Sequence, residues 1–314
     1  MKRLICLVIV LAFTFCVNLP VYATSNKIPI ETQIPIESQM QEQILYSEYD
    51  AYIENKQKTD EELLAEGFTI EEIQDLKDFC LEDALMERAS HTEEELYAMG
   101  YTDEQIELLK AYDGSPLTAD NPVLAATAVC TGSIIFNSYN TSSKQLMFLY
   151  HFSWSSIPIC GHVDTVAVSW QAIDSNAHYI SSSATYKRAT IYLSSTSTGE
   201  DYSSQTLSLT AMPGFNGYKA DYESVQTVPE DNGTLAVWAK EGYIWFGITP
   251  DGNNTISTLK VYGAVGHKTL ALATSVGFDA SSGSYSFSFT PTYAFDTVGA
   301  ANYTLKPDGT CYAN

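Results

Sequence analysis

The sequence predicts an α+β multidomain protein in which a small all-α acidic helical-hairpin duplication precedes an all-β sandwich-like domain. Three observations carry this prediction. A helical unit is written twice between residues 59 and 112, the apolar pattern changes to a period of two after residue 129, and most acidic residues precede residue 121. The predicted order is a leader (1–23), an extended tether (24–58), the duplicated repeat (59–112), a linker (113–128) and the β domain (129–314).

The leader has the features of a secretory signal peptide. Lys2 and Arg3 give it a charged start, an apolar stretch follows, and Val21-Tyr22-Ala23 forms a small-residue cleavage site. The apolar stretch is too short for an ordinary membrane span, and no later run reaches about 18 apolar residues. We therefore expect a secreted, extracellular chain whose mature form begins at Thr24.

Two connecting segments flank the repeat. The tether contains Pro29 and Pro35 and is predicted to be extended or weakly helical. The linker contains a Gly and two Pro, and its stretch Ala126-Thr127-Ala128 would suit a second processing event. Processing there would make the helical part a prosegment, whereas a chain that keeps it would use both parts together.

The repeat predicts its own helix ends. Residues 59–79 and 92–112 match at 11 of 21 positions when they are offset by 33. In each copy, both helices open with Thr followed three residues later by Glu or Gln, which is the capping-box pattern, and a Gly follows the first helix. The predicted caps are Thr59, Gly67, Thr69, Thr92, Gly100 and Thr102.

An aromatic residue after each Gly is predicted to close one helix and open the next. The expected contacts join Leu63, Phe68 and Ile73 in the first copy and Leu96, Tyr101 and Ile106 in the second. We expect the second helix of the first copy to continue to about Arg88. We also expect the two copies to bury each other as a four-helix cluster.

Charge is distributed unevenly along the chain, whose net charge is −22. Residues 24–120 hold 25 Asp and Glu against 6 Lys and Arg, while residues 121–314 hold 13 against 8. This balance argues against a nucleic-acid partner and against a polybasic membrane contact, because both need a basic surface. The acidic helices suit a small protein-binding or inhibitory module, or a spacer whose charged face is solvated.

The β domain is predicted from alternation of apolar and polar residues. The alternating sets are Leu146, Phe148, Tyr150, Phe152 and Trp154; Val166, Val168 and Trp170; and Tyr285, Phe287 and Phe289. About ten to twelve short strands are expected, with no helix, as in a β-sandwich or a related all-β fold.

Cysteine usage agrees with export. Without the leader, Cys80, Cys130, Cys160 and Cys311 remain, and four cysteines permit three full pairings. We favour a disulfide between Cys130 and Cys160, which would contribute about 3 to 4 kcal/mol by chain entropy. A disulfide between Cys130 and Cys311 is the alternative, and either pairing can leave Cys80 free.

One short segment resembles a known metal site. Residues 161–166, with the sequence Gly-His-Val-Asp-Thr-Val, resemble the metal-binding Gly-His-x-Asp-x-Val segment of zinc-dependent aminoacylase-type peptidases. That family also needs a downstream Glu-Glu pair and an α/β scaffold, and no Glu-Glu follows Glu95. The alternative, which we favour, is that His162 and Asp164 flank a strand end and Val166 begins its buried face.

No other catalytic or metal-binding motif occurs in the sequence. The histidines are scattered, and the chain lacks His-x-Glu-x-x-His, Cys-x-x-Cys, calcium-loop, Gly-x-Ser-x-Gly and phosphate-loop patterns. A glycosidase would need two positioned carboxylates. The candidates are Asp164, Asp174, Asp221, Glu223 and Glu241, and the sequence selects no pair among them. We therefore expect no metal, no cofactor and no identifiable catalytic residue.

Aromatic residues provide the candidate binding site. Trp238, Tyr243, Trp245 and Phe246 lie close together in what we expect to be a pair of strands. If exposed, they would stack on sugar rings or anchor a partner protein; the alternative is that they fill the core.

A further alternating segment, near the C-terminal end of the sequence, fits a membrane-active function. Leu270, Leu272, Thr274, Val276 and Phe278 alternate with small residues, and Tyr285, Phe287 and Phe289 alternate back after a Ser-rich turn. This pattern fits a transmembrane β-hairpin, and it fits an ordinary sheet with one buried face equally well.

The sequence therefore predicts a secreted, non-catalytic binding protein that acts at a cell surface or on an extracellular protein or glycan. The first alternative is a secreted membrane-active, pore-forming or toxin-like β protein with an acidic helical prosegment. The second alternative is an extracellular hydrolase.

Overall fold

The computed structural model describes residues 43–65, 68–159, 163–212, 216–230, 233–266, 276–279, 286–289, 299–305 and 311–313. Short helices occupy the N-terminal part and mostly antiparallel β-sheet follows, as the α+β prediction requires. The leader and most of the tether lie outside the described residues.

Six helices follow one short strand. The strand β1 is Gln43–Ser47, and the helices are α1 (Glu48–Gln57), α2 (Asp60–Ala65), α3 (Ile70–Asp78), α4 (Leu81–Ser90), α5 (Glu93–Ala98) and α6 (Asp103–Ala111). A 3-10 turn, Pro122–Ala126, leads into the β region. Residues 43–57 thus form a strand and a helix within the interval for which the sequence predicts a tether.

The β region contributes fifteen strands to the part of the chain that the structure describes. They are β2 (Val129–Asn140), β3 (Gln145–Trp154), β4 (Val163–Ile173), β5 (Tyr179–Ile180), β6 (Ser182–Ser195), β7 (Asp201–Leu207), β8 (Thr210–Ala211), β9 (Gly217–Glu223), β10 (Val225–Glu230), β11 (Gly233–Pro250), β12 (Thr258–Gly266), β13 (Val276–Asp279), β14 (Ser286–Phe289), β15 (Gly299–Leu305) and β16 (Cys311–Ala313). The expectation of ten to twelve strands was too low, because several strands are only two to four residues long.

These strands form two seven-stranded antiparallel sheets and a separate hairpin. The first sheet has the order β1-β2-β3-β11-β6-β7, with β10 also paired to β11. The second sheet has the order β16-β15-β12-β4-β9-β8, with β5 also paired to β4. β13 pairs only with β14 among the described strands.

The buried faces of the two sheets share one hydrophobic cluster. The predicted inward set of β3 is confirmed, because its five alternating residues from Leu146 to Trp154 are at most 3 % exposed. Trp170 of β4 stacks on Phe246 of β11 at 6.2 Å, and Phe152 of β3 lies 5.6 Å from Tyr222 of β9, measured between ring centroids. Aromatic side chains therefore connect one sheet to the other.

The helix caps form as the sequence predicts wherever the structure describes them. Capping boxes are complete at Thr92 and at Thr102. At Thr59 the backbone N–H donates to the Glu62 carboxylate at 2.8 Å, and the Glu62 N–H donates to the Thr59 hydroxyl at 3.2 Å. The remaining box, at Thr69, depends on a Glu72 side chain outside the described set.

The helix corners also close as predicted. Gly100 has a φ of +91°, and the Tyr101 N–H donates to the Leu96 carbonyl at 3.1 Å, which is the Schellman arrangement. The equivalent bond in the first copy joins Phe68 and Leu63 at 3.0 Å, although Gly67 itself lies outside the described residues.

The packing of the two copies differs from the predicted four-helix cluster. In the first copy, Leu63, Phe68, Ile73 and Leu76 form a small cluster of their own. The equivalent residues of the second copy, Leu96, Tyr101, Ile106 and Leu109, belong instead to the cluster that contains both sheets. The two copies therefore bury their apolar faces against different parts of the molecule.

The helix predicted to continue to about Arg88 is interrupted. α3 ends at Asp78, Cys80 adopts an extended conformation with φ −118° and ψ 110°, and α4 begins at Leu81. Phe79 packs against Tyr52 of α1 at 5.7 Å. The break allows Phe79 to cover α1 while Leu81 and Leu85 of α4 enter the main cluster.

The predicted linker is partly buried. Val123, Ala126 and Ala128 are at most 2 % exposed and belong to the main cluster. The Ala128 N–H donates to the Glu48 carboxylate at 3.2 Å. The stretch Ala126-Thr127-Ala128 that we considered for processing is at most 3 % exposed, so a protease would need local unfolding to reach it.

Candidate binding face

The candidate site lies on the side of the first sheet that faces away from the second sheet. β11 is its central strand, with β3 on one side and β6 on the other. Glu241 pairs with Ser153 and Tyr192, Tyr243 with His151 and Thr190, and Trp245 with Leu149 and Arg188. Directly paired residues project to the same side of a sheet, so these side chains form one surface, which we call the aromatic face.

The four aromatic residues predicted from the sequence all lie on β11 rather than on a pair of strands. Tyr243 and Trp245 are half-buried on the aromatic face. Phe246 is fully buried and points toward the second sheet, because successive residues of a strand alternate in direction. Phe246 therefore fills the core, whereas Tyr243 and Trp245 lie on the aromatic face with part of their surface exposed.

Trp238 lies on the aromatic side of β11 but is covered. The register with β6 shifts between Ala239 and Glu241, so Lys240 is an extra residue that reverses the alternation of the strand. Trp238 pairs with Ser194, which is on the same side of β6 as Tyr192. Only 1 % of Trp238 is exposed.

The second helical copy covers Trp238. A Cβ placed on Gly100, at the corner between α5 and α6, would lie 3.4 Å from Cζ2 of Trp238. The Ile157 N–H, just beyond β3, donates to the Met99 carbonyl at 2.8 Å. A Cβ placed on Gly199, in the turn after β6, would lie 2.9 Å from Cα of Ala98. The corner of the second copy thus closes one end of the aromatic face.

A hydrogen-bonded network orders the centre of the face. Nε2 of His151 lies 3.0 Å from the Glu241 carboxylate, and the Tyr243 hydroxyl donates to the same carboxylate oxygen at 3.2 Å. The bond with His151 and the Tyr243 hydroxyl lower the pKa of Glu241 despite its partial burial. Burial and the adjacent Glu241 carboxylate raise the pKa of Tyr243. Glu241 is thus kept ionised and Tyr243 protonated near neutral pH.

Tyr243 is held between two rings. His151 stacks on it at 4.5 Å with an interplanar angle of 22°, and Tyr192 meets it edge-on at 5.5 Å. Its faces are therefore largely occupied by the protein. Trp245, in contrast, makes no ring contact and no side-chain hydrogen bond with the described residues.

Neutral hydroxyl groups border the aromatic residues. Thr131 and Ser153 hydrogen-bond to each other through their side chains at 3.2 Å. Ser204 and Thr206 on β7 are exposed opposite Tyr192 and Thr190. These groups can donate and accept hydrogen bonds with a polar ligand.

The carboxylates considered for glycosidase chemistry are dispersed. Asp164 is fully buried as the second residue of β4, so the buried face begins at Asp164 rather than at Val166, and the prediction that Asp164 flanks the strand end was wrong. Asp221 accepts from the Thr165 hydroxyl at 2.6 Å on the other side of the second sheet, and Glu223 lies two residues further on. Asp174 accepts from the Asn176 and His178 backbone in a turn. Glu241 lies on the first sheet, whereas the other four lie on or beside strands of the second sheet.

The structure leaves several other predictions as they were. His162 and Cys160 lie outside the described residues, and so does most of the segment proposed as a membrane hairpin. Cys130 is a fully buried free thiol whose pKa burial raises, so neither of its two proposed disulfides, with Cys160 or with Cys311, is formed in this structure. Cys80 is a partly exposed free thiol. Across the described ranges, no His, Cys, Asp and Glu side chains cluster as metal ligands. None of the helices described is long and apolar enough to span a bilayer.

Sequence reasoning missed His151, Tyr192 and Arg188. His151 and Glu241 are 90 positions apart, so no local pattern could indicate that they meet. The alternation of Glu241, Tyr243 and Trp245 was visible in the sequence and could have grouped these three residues on one side of a strand.

Comparisons with known proteins identify no relative that informs function. No family model and no curated protein matches the chain. One solved structure, described as "AvmM Catalyzes Macrocyclization in Alchivemycin A Biosynthesis", aligns over 54 % of this chain and 86 % of its own, with 9 % identity and a TM-score of 0.22. A TM-score this low relates neither the fold nor the function of the two proteins.

Proposed function

We propose that this chain is a secreted, non-catalytic binding protein that engages an extracellular protein or glycan through the aromatic face. The observation that carries the proposal is the state of Trp245, a large aromatic side chain that is partly exposed and makes no ring contact with the described residues. Trp is among the side chains that most often dominate binding energy, since it offers a large, rigid surface.

The surroundings of Trp245 support binding rather than catalysis. Hydrogen bonds among His151, Glu241 and Tyr243 hold these side chains in place before a ligand binds, which reduces the entropic cost of binding. Glycosidases need paired carboxylates on either side of a substrate, and Glu241 has no acidic neighbour in its row of the sheet.

The proposal includes the architecture behind the face. The two sheets share a core through their facing sides, which supports a β-sandwich. The equivalent buried residues and corner hydrogen bonds of residues 59–79 and 92–112 support a structural duplication. Burial of the second copy in the main cluster supports a helical part that stays joined to the β domain.

The test uses the purified chain and insoluble peptidoglycan, chitin and pectin as probes, with cultured-cell surfaces as a protein-bearing probe. Trp245→Ala and Tyr192→Ala should reduce the bound fraction about tenfold, as expected for aromatic anchors. Tyr179→Ala is the matched control, because Tyr179 is 64 % exposed on β5 of the second sheet. Equal retention of all three variants and the native chain would refute binding through the aromatic face.

Intrinsic fluorescence provides a second readout. Trp154, Trp170 and Trp238 are at most 5 % exposed, so Trp245 is the one tryptophan of four with substantial solvent access. A bound ligand should protect this signal from acrylamide quenching. Trp245→Phe should remove the quenchable component in the free protein, and a quenchable signal that persists in this variant would contradict the described exposure.

A further inference from the structure

Arg188 is an isolated cation beside the partly exposed Trp245. It is the only arginine in residues 121–314, it is exposed, and its guanidinium makes no hydrogen bond, ion pair or ring contact with the described residues. It pairs directly with Trp245 across β6 and β11. Two residues further along β6, Tyr186 pairs with Gly247 on the same face and is 42 % exposed.

The environment of Arg188 contrasts with that of the other face residues. Glu241 is already shared between His151 and Tyr243, and it lies four residues from Trp245, about 13 Å along the strand. Arg188 is the only charged residue among the described residues that pair with Trp245 or Gly247 across the neighbouring strands of the sheet. A ligand seated on Trp245 therefore meets a free guanidinium, and the nearest carboxylate on the face is engaged elsewhere.

Guanidinium and indole together define a ligand chemistry. Arg presents a planar donor pair that matches a carboxylate in two parallel hydrogen bonds. An aromatic side chain offers a flat apolar surface on which the ring of a sugar can stack. The adjacent hydroxyl of Tyr186, an exposed side chain, can hydrogen-bond to a sugar hydroxyl group.

Resting on the proposed binding function, we infer that the aromatic face binds a carboxylate-bearing sugar, with its ring on Trp245 and its carboxylate on Arg188. The acidity of the chain does not oppose this ligand strongly, because the acidic second copy meets the face at Trp238, which is seven residues, or about 20 Å, along β11 from Trp245. Charges beyond about 10 Å are screened at ordinary ionic strength.

Binding of polygalacturonate, a polymer of uronic acid, tests the inference against neutral galactan of similar length. The native chain should bind polygalacturonate more tightly, and the preference should weaken as salt is raised. Arg188→Gln should weaken this binding about tenfold or more, since it removes a charged hydrogen-bond donor, and should leave galactan binding unchanged.

Lys187→Gln is the matched control. Lys187 precedes Arg188, and its substitution by Gln removes one positive charge, as Arg188→Gln does. Its side chain points to the opposite side of β6, where Nζ lies 4.5 Å from the centroid of the Tyr218 ring. It should bind polygalacturonate as the native chain does. An equal loss in both variants would indicate nonspecific attraction and overturn the inference.

The outcomes separate this inference from the proposed function. Equal binding of both polymers that is lost in Trp245→Ala but kept in Arg188→Gln would overturn the carboxylate assignment and leave the aromatic face as a binding site. The native chain could also fail to bind polygalacturonate but bind another probe in a way that depends on Trp245. That result would likewise overturn the carboxylate assignment and leave the aromatic face as a binding site. Binding that depends on neither residue would overturn both.

Discussion

Trp238 and Trp245 lie on the same strand and the same side of it, yet Trp238 is buried and Trp245 is partly exposed. Trp238 lies beneath the Gly100 corner of the second helical copy. Trp245 lies seven residues further along β11, between its paired residues Leu149 and Arg188. The chemistry of the two side chains is identical. The comparison shows that the helical part, through its docking, covers one end of the aromatic surface and leaves the other end partly exposed.

The largest expected effect is on stability at the covered end. Trp238→Ala should lower the free energy of unfolding by about 3 to 5 kcal/mol, because it leaves a cavity where the helices meet the sheet. Trp245→Ala should cost about 1 kcal/mol, because its side chain is only half-buried. Chemical denaturation of both variants measures the difference, and equal losses would contradict the division of the face.

Two glycines of β11 allow the packing on the core side of the strand to be compared with the packing on its aromatic side. A Cβ on Gly242 would overlap the ring of Phe152 in the core and lie 3.1 Å from Ile191, so Gly242→Ala should cost about 1 to 3 kcal/mol. A Cβ on Gly247 would meet the flexible ends of Met147 and Gln145 on the aromatic side, at 2.7 and 2.8 Å. Gly247→Ala should therefore cost less than Gly242→Ala. The reverse order of denaturation midpoints would show that the aromatic side is packed as rigidly as the core.

The smallest expected effect concerns pH. The folded state lowers the pKa of Glu241, so the network contributes stability above the ordinary pKa of a glutamate and loses it as the pH falls through the lowered value. Its side chain is 36 % exposed, so the contribution should be below about 1 kcal/mol. Comparing unfolding of the native chain and Glu241→Gln at pH 7 and at about pH 3.5 measures it. The advantage of the native chain should shrink at the lower pH, and growth of that advantage on acidification would contradict the assigned role of Glu241.

The helical part shows how far local sequence reaches. Thr59, Thr92 and Thr102 cap their helices and Gly100 closes its corner as the sequence predicts, because these contacts join residues within six positions of one another. The four-helix cluster was wrong. The sequence repeats the apolar pattern in both copies but contains no signal for which surface each copy covers.

The aromatic face shows the complementary limit. The predicted binding site groups Phe246 with Trp245, although a period of two puts these neighbours on opposite sides of a strand. The extra residue Lys240 reverses the alternation, so that Trp238 lies on the same side as Trp245. Nothing in the local sequence marks this bulge, since it depends on the register with β6. The network of His151 with Glu241 likewise depends on the pairing of β3 with β11.

The sequence by itself determined the order of short acidic helices and β strands, the helix caps, and the division of each regular strand into two sides. These features depend on backbone geometry and on neighbours a few residues away. The tertiary structure alone decided which apolar side is covered, which strands are adjacent and where the alternation is interrupted. The physical reason is that burial depends on long-range packing: a tryptophan side chain is buried beneath the Gly100 corner, and the same side chain is partly exposed seven residues further along the chain.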